Sequence, residues 1–352
     1  MVSTTHAPSI EYSPARSGIT WAVWSGVIAM SSITFGLYWD ISWHMTIGRD
    51  TFWTPAHLAI QFGGILAAIT SIYLIFSATF GSDAAERSAT VRVWGFRGPL
   101  GAFLTAWGGV TMVTSAPFDN WWHNSFGLDV EIMSPPHVVL GLGICAVGAG
   151  SLLLLVSEMN RASGQRKQTL NRLFLFLCGI MVILHLILIS EYCDPTMMHS
   201  AIFYRMMSFE TPLLLVASAR ASGRRYGATI VAAIYMLFML AGLWIFPIFP
   251  ASPKLGPVFT NLTHMVPMAF PVLLIVPAFL LDMVLNTTER KNAWLRATLA
   301  GTLFICGLLL AHWWVGRVHA YSGRAKLCVW AKLFSLYGFP FRVSSGLGIS
   351  KI

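Results

Sequence analysis

The chain contains a short pattern that brings together one carboxylate and two imidazoles. Asp40 is followed four residues later by His44, and His57 comes thirteen residues after that. Residues four apart lie on one face of a helix, so Asp40 and His44 can point at a common spot. Thr54 is a favoured N-cap and Pro55 is favoured just inside a helix start, which puts His57 in the first turn of the next helix. Two helix ends are therefore expected to direct three ligand-type side chains at one point.

The same pattern occurs a second time with almost the same spacing. Asp119 precedes His123 by four residues, and His137 follows fourteen residues later, after a Ser134-Pro135 pair that opens an apolar run. The two copies are offset by 79 residues at the aspartate and the first histidine, and by 80 at the second histidine. The matched spacing predicts a duplicated helix hairpin, with each copy of the pattern at its outer connection.

A carboxylate with two imidazoles suits copper, zinc or non-haem iron and leaves a coordination position open. Histidine binds a metal only in its neutral form, so binding is expected to weaken in mild acid. The simplest alternative is structural, with these side chains capping helices and pairing with one another. Two copies with matched spacing and matched helix starts favour the metal sites. The predicted ligands are Asp40, His44, His57, Asp119, His123 and His137.

The composition places these motifs in a membrane protein. Of the 352 residues, 56% are hydrophobic and 11% are charged, and about 20 apolar residues are enough to cross a bilayer core. The expected fold is an all-α, polytopic integral membrane bundle of about nine transmembrane helices, and no removable signal peptide is expected. The nine apolar runs are approximately 20–39, 55–80, 98–117, 136–157, 171–190, 200–219, 227–249, 263–285 and 295–315.

The formal net charge of +9 does not point to nucleic acid, because the cations are concentrated in alternate short loops between the apolar runs. This is the positive-inside pattern of membrane proteins. It predicts a cytoplasmic N-terminus in the plasma or inner membrane, with both motifs on the outer side. The basic loop residues are Arg87, Arg92 and Arg97, then Arg161, Arg166, Lys167 and Arg172, then Arg220, Arg224 and Arg225, and finally Arg290, Lys291 and Arg296.

Four regions are predicted along the chain: a cytoplasmic tail (1–19), the duplicated metal-binding hairpins (20–157), additional transmembrane helices (158–316) and a basic C-terminal tail (317–352). The last region has six basic residues and no acidic one, although nine spans would place it outside, against the positive-inside rule. One span fewer, a tail folded onto the membrane surface or an altered reading frame would each explain this.

The first motif also resembles a known family. The text WHMT, then RDT, then TP-x-His between Trp43 and His57 is similar to the metal-binding segment of the C subunit of the particulate methane and ammonia monooxygenases, which are copper-dependent membrane enzymes. The family segment has the same spacing of aspartate and histidines. In its second segment an asparagine takes the place of Asp119, and the step to the last histidine is again fourteen residues. The resemblance covers about residues 39–138 and suggests a distant relative.

The resemblance implies a copper site in each motif, in an enzyme class that uses dioxygen to hydroxylate small substrates such as methane, short alkanes or ammonia. In the family the C subunit works with partner subunits, one of which carries cupredoxin domains, so such partners and a homo- or hetero-oligomer are expected. The aspartate at 119 adds a negative charge, and the runs after residue 170 exceed the family's usual helix set. Charged residues in the connections between the two histidines of each motif are expected to orient the ligands. They are Arg49, Asp50, Asp129 and Glu131.

Two other function classes remain open at this point. A membrane protein that handles copper or zinc, or an assembly factor, would hold exchangeable metal and consume no oxygen. A proton-coupled transporter would use the Asp-His pairs for proton transfer, and its flux would persist without metal.

Overall fold

A computed structural model describes residues 20–48, 51–81, 90–127, 134–188, 200–254, 262–268, 270–287 and 292–322, the last eight of these through their backbone alone. The predicted tails 1–19 and, from residue 323, the C-terminal tail lie outside this part. The chain divides into two compact units, residues 1–189 with 253–257, and the remainder. Both units are helical in the described residues, with one short β-hairpin in the first.

In its described residues the first unit contains five helices, which carry both motifs. The helices are α1 (Trp21–Thr46), α2 (Pro55–Phe80), α3 (Leu100–Phe126), α4 (Pro135–Arg161) and α5 (Gly164–Leu188). A 26-residue helix such as α2 is about 39 Å long at 1.5 Å per residue, enough to cross the hydrocarbon core.

The second unit contains four helices in its described residues. They are α6 (Ala201–Ser222), α7 (Gly227–Ile245), α8 (Ile275–Thr287) and α9 (Ala293–Ser322). A short 3-10 turn, Phe246–Ile248, follows α7.

Six of the nine described helices are long and apolar enough to cross a membrane, namely α1, α2, α4, α5, α7 with its 3-10 turn, and α9. The chain is therefore an integral membrane protein, as its composition predicts. Helices α3 and α6 are long enough, but no segment of either reaches the same hydropathy. The eighth predicted run, 263–285, is helical only from Ile275, and its thirteen helical residues would reach only about 20 Å. Pro267 and Pro271 precede this helix, and proline cannot donate the backbone hydrogen bonds that would extend it.

The sequence explains where the motif-bearing helices begin and end. Thr54 and Ser134 occupy the N-cap positions of α2 and α4, with a proline as the first helical residue in each. Helix α3 ends at Phe126, and the next residue, Gly127, has a φ of 91° that only glycine readily adopts. The motifs consequently lie at one end of these helices, while the β-hairpin and the basic α4–α5 junction lie at the other.

Glycines let the helices of the two hairpins approach closely. A Cβ atom at Gly108 in α3 would lie 2.6 Å from the backbone oxygen of Gly143 in α4, and one at Gly143 would lie 2.9 Å from that of Gly108. Between α2 and α3, a Cβ at Gly109 would lie 2.7 Å from the backbone oxygen of Gly64. Close backbone contact at small residues is a common way to hold membrane helices together. These contacts hold α2, α3 and α4, three of the four motif-bearing helices, against one another.

A two-stranded antiparallel hairpin, Val91–Val93 with Phe96–Gly98, joins α2 to α3. The all-α fold predicted from the sequence does not include this hairpin. Trp94 and Gly95 form its turn with φ values of 48° and 90°, and positive φ at both central residues matches the twist of a hairpin. The strained tryptophan is supported by an edge contact with Trp107, at 5.6 Å between ring centroids.

The second unit contains a buried carboxylate that is fully paired. Asp282 in α8 is 1% exposed. Its side chain accepts hydrogen bonds from the backbone nitrogens of Ala228 and Thr229, at 3.2 and 2.7 Å, and from the Thr229 hydroxyl at 2.7 Å. A carboxylate is favourable at a helix N-terminus, so Asp282 ties α8 to the start of α7.

Candidate metal centre

The first motif places one carboxylate between two imidazoles. His44 Nε2 lies 3.8 Å from Asp40 Oδ2, one helical turn away on α1, and His57 Nε2 lies 3.1 Å from Asp40 Oδ1. The side chains of Asp40, His44 and His57 are 19%, 31% and 23% exposed. The three residues are therefore half-buried and reachable from solvent.

His57 is held in place by the turn that precedes α2. Its Nδ1 lies 3.0 Å from the Thr51 carbonyl oxygen, which can only accept a hydrogen bond, so Nδ1 is the protonated nitrogen and Nε2 faces Asp40. The Thr51 backbone nitrogen donates to Thr54 Oγ1 at 2.9 Å, and the Thr54 nitrogen donates to the Thr51 oxygen at 2.9 Å. Metal-binding histidines typically donate their second ring N–H to a carbonyl or carboxylate in this way.

The Thr51 turn also revises one expectation about helix capping. Thr54 occupies the N-cap position, but its hydroxyl makes no cap hydrogen bond to the helix because it accepts from Thr51 instead. Ser134, at the same position in the second copy, also makes no cap bond. Its buried hydroxyl oxygen has no hydrogen-bond partner among the described residues.

The second motif shows the same arrangement with different distances. His123 Nε2 lies 3.4 Å from Asp119 Oδ2, and His137 Nε2 lies 3.5 Å from Asp119 Oδ1. His123 Nδ1 lies 3.4 Å from the carbonyl oxygen of Gly127, which is long for a hydrogen bond. The bridge between the two histidines, from residue 128 to 133, lies outside the described residues.

The two sets differ in how tightly their ligand atoms are grouped. Only for Asp40, His44 and His57, among the described residues, does one ligand atom of each residue lie within 4.8 Å of the ligand atoms of the other two. In the second set each histidine faces the carboxylate, but the three residues together do not meet that distance. The first set is the more compact ligand cluster.

The distances in both sets suit a metal with nitrogen and oxygen ligands. Such a metal has its ligand atoms at about 2.0–2.2 Å, which places those atoms roughly 2.8–4.4 Å from one another. The imidazole to carboxylate distances of 3.1 and 3.8 Å in the first set and of 3.4 and 3.5 Å in the second fall in this range.

The carboxylate oxygens also fit a bound cation. Asp40 Oδ1 and Asp119 Oδ1 are buried, and neither has a hydrogen-bond partner of ordinary geometry in the described part of the chain. In the neutral tautomer that carries its proton on Nδ1, His57 turns the lone pair of Nε2 toward Asp40 Oδ1 at 3.1 Å. Two lone pairs at that distance repel each other unless a proton or a metal ion lies between them. The donor set therefore accommodates a cation.

All six predicted ligands line a single cavity of ≈ 540 Å³ within the first unit. The sequence predicts two sites but gives no reason to expect that they open onto the same space. Ile187 and Leu188, at the end of α5, also line this cavity. Helix α5 therefore contributes to the surroundings of the sites, although it lies beyond the predicted metal-binding region.

The lining follows the register of the two motifs, and this signal could have identified it from the sequence. Residues at matching positions line the cavity in pairs, one from each copy, as expected when two similar helix ends face the same space. The pairs are Leu37 with Ala116, Ile41 with Asn120, Met45 with Asn124, Ile60 with Leu140 and Gln61 with Gly141. Where α3 lines the cavity with the amides of Asn120 and Asn124, α1 lines it with the apolar side chains of Ile41 and Met45.

Four charged residues expected to orient the ligands, Arg49, Asp50, Asp129 and Glu131, lie outside the described residues. Comparison with models of protein families, with curated proteins and with solved structures finds no match to this chain.

Proposed function

We propose that this chain is a membrane metalloprotein that holds copper at the two Asp-His-His sets, and that it is a distant relative of the C subunit of the particulate methane and ammonia monooxygenases. The observation that carries the proposal is the presence of both sets on one cavity with distances that suit a metal. The matched lining supports an origin of α1–α2 and α3–α4 by duplication. Zinc or iron would fit the same donors.

Copper bound there would supply the redox chemistry with dioxygen that hydroxylation of a small substrate requires. The protein's own residues have three tasks. Asp40 and Asp119 supply the negative charge that retains the metal, and the Thr51 carbonyl fixes the orientation and tautomer of His57. The apolar lining of the cavity, including Leu37, Ile60 and Ile144, limits the access of water.

The membrane orientation in this proposal follows from the two ends of the hairpins. The motifs lie at the ends of α1 and α3 and the starts of α2 and α4, whereas Arg92, Arg97 and Arg161 lie at the opposite ends. By the positive-inside rule the basic ends face the cytoplasm and the metal sets face outward. Partner subunits with a cupredoxin domain, and an oligomer, belong to this proposal through the family resemblance.

A second candidate is a protein that carries copper or zinc in transit without catalysis. The partial exposure of the ligands supports it, since the six side chains are between 19% and 33% exposed and an external carrier could reach them. This function requires the same ligands but no oxygen chemistry.

Oxygen consumption by the copper-loaded protein in lipid nanodiscs, with a reductant and a short alkane or ammonia, tests the catalytic proposal. Asp40→Ala serves as the control for reaction at the first set. Consumption that depends on substrate and disappears in the variant supports the monooxygenase. The opposite result is a preparation that contains the partner subunits and retains copper but consumes no oxygen when substrate is added. In that case the protein is a metal carrier.

A further inference from the structure

The β-hairpin between α2 and α3 places two arginines directly opposite each other. Arg92 on the first strand pairs with Arg97 on the second, and both residues are exposed. Residues opposite each other in an antiparallel pair have Cβ atoms about 4.5–5.5 Å apart, and like charges at such positions destabilise the pair. An anion bound between the two guanidinium groups would remove this repulsion.

The charge of the arginine pair is not balanced by the described residues. At the α4–α5 junction, on the same side of the first unit, Arg166 forms an ion pair with Glu158. No described residue forms such an ion pair with Arg92 or Arg97. The hairpin therefore presents two adjacent positive charges to its surroundings.

The arginine pair faces away from the helices. Side chains alternate between the two faces of a strand, so Arg92 and Arg97 share one face, and Phe96 and Gly98 share the other. Phe96 contacts Phe76 of α2, with 5.8 Å between ring centroids, and Gly98 is buried. The apolar face therefore packs on α2 and leaves the basic face open to a ligand.

The hairpin lies at the depth of the phospholipid headgroups. The 26 residues of α2 span about 39 Å, against a hydrocarbon core of about 30 Å, so the last turn of α2 reaches the headgroup layer. Thr79 in that turn accepts a hydrogen bond from the Arg97 backbone nitrogen at 2.8 Å. The tip folds back along α3, where Trp94 meets Trp107, about 10 Å inside the start of that helix. The arginines therefore lie beside the headgroups, and the tip lies at the edge of the hydrocarbon.

The turn of the hairpin carries an exposed tryptophan that the turn geometry does not require. With a φ of 48°, this position favours asparagine or glycine, yet Trp94 occupies it and is 81% exposed. Phe80, at the end of α2, and Trp107 are exposed as well. Tryptophan is enriched where a membrane meets water, and a lipid bound at the hairpin would cover these rings.

We propose that the hairpin binds an anionic phospholipid such as phosphatidylglycerol. The guanidinium groups of Arg92 and Arg97 bind the phosphate, since arginine and phosphate form strong charge-assisted hydrogen bonds, and Trp94 contacts the lipid chains. In the proposed orientation the site faces the cytoplasmic leaflet, whose anionic lipids attract basic groups. The inference goes beyond the proposed function, because binding at the hairpin requires neither a metal nor a substrate.

Native mass spectrometry of the full-length protein, delipidated in mild detergent, measures this binding. The probes are dioleoyl phosphatidylglycerol and dioleoyl phosphatidylcholine, which have the same acyl chains and a phosphate each. In the second lipid the choline cation cancels the phosphate charge. Wild type is expected to bind phosphatidylglycerol more tightly than phosphatidylcholine, and equal affinities would overturn the proposal.

Two double variants separate the arginine pair from the general basic charge of this side. Arg92→Gln/Arg97→Gln should weaken phosphatidylglycerol binding by about 10-fold or more, the range of a hydrogen bond to a charged group, and leave phosphatidylcholine binding unchanged. Arg161→Gln/Lys167→Gln removes two exposed cations from the α4–α5 junction and should bind both lipids as wild type does. Equal losses in the two double variants, or no loss in the hairpin variant, would overturn the proposal.

Trp94→Asn tests the apolar contact without endangering the hairpin, because asparagine followed by glycine is strongly preferred in this type of turn. The variant should bind both lipids more weakly, and by the same factor. Unchanged binding of both lipids would contradict the placement of the lipid chains beside Trp94.

Competition with inorganic phosphate identifies the source of the bound phosphate group. An excess of inorganic phosphate should leave phosphatidylglycerol bound, because the acyl chains also contribute to its affinity. Displacement of the lipid would show that the arginine pair is a site for a free anion, and it would overturn the lipid site.

Discussion

The two motifs have the same residues, the same helical positions and one common cavity, yet they are not equally well organised. The first set is compact, and its second histidine is tied to the Thr51 turn. In the second set the ligand atoms are more widely grouped, and His123 has a long contact to Gly127. The repeated pattern thus gives both sets the same donor types, and in the first set the Thr51 turn also holds His57 in place. We expect the first set to bind metal more strongly.

The largest expected effect is removal of either carboxylate. Asp40 faces both His44 and His57, and its loss leaves two neutral ligands and no compensating charge. We expect Asp40→Ala to weaken metal binding at the first set by more than about 100-fold, beyond the 10–100-fold typical of residues outside the ligand shell. Titration with a competing chelator measures this effect. Asp119→Ala is the matched control and should spare the first set; equal losses at both sets in either variant would contradict independent sites.

A smaller effect is expected when Asp119 is changed to asparagine, the residue at this position in the monooxygenase segment that the second motif resembles. Asp119→Asn keeps the shape and an oxygen ligand but removes the negative charge. Copper affinity at the second set should fall by roughly 10-fold, which corresponds to about 1.4 kcal/mol, and the first set should be unaffected. The same chelator titration provides the measurement, and an unchanged affinity would show that the charge at 119 has no role in retaining metal.

The smallest effect tests the Thr51 turn that holds His57 in the first set. Thr54→Val removes the hydroxyl that accepts from the Thr51 nitrogen and should loosen the Thr51–His57 contact. We expect about a 5-fold loss of copper affinity at the first set, the order of one neutral hydrogen bond. Ser134→Ala removes a hydroxyl oxygen without a hydrogen-bond partner among the described residues. It should leave copper affinity at the second set unchanged. Equal losses of affinity in the two variants would show that the Thr51 turn does not contribute to copper binding at the first set.

The sequence predicts the helical membrane class and the helix ends that carry the motifs, because apolar run length and the Thr-Pro and Ser-Pro starts are local signals. The described helix α2 coincides with the predicted run 55–80. The eighth run is misjudged because hydropathy does not register the prolines that keep residues before Ile275 out of a helix. The hairpin at Trp94 is missed because strands of three residues are too short to show the alternation of apolar and polar residues that predicts a strand.

Only part of the candidate site can be predicted from the sequence. Helical spacing places Asp40 beside His44 and Asp119 beside His123, and the helix starts bring in the second histidines. The common cavity depends on how α1–α2 packs against α3–α4 through Gly64 and Gly109. Such packing between hairpins is a long-range property, and no local pattern encodes it. Gln61 would have been found by extending the motif register by one helical turn.

Copper stoichiometry most directly tests the central claim that both motifs are metal sites. Elemental mass spectrometry would be applied to wild type, His44→Ala and His123→Ala, purified in mild detergent, after copper repletion and a mild chelator wash. Wild type should retain two equivalents and each variant about one, with His44→Ala losing its remaining copper first as the wash is strengthened. If wild type retains no metal, or if the variants retain as much as wild type, the Asp-His-His sets are structural or proton-transfer groups and the metal sites are disproved.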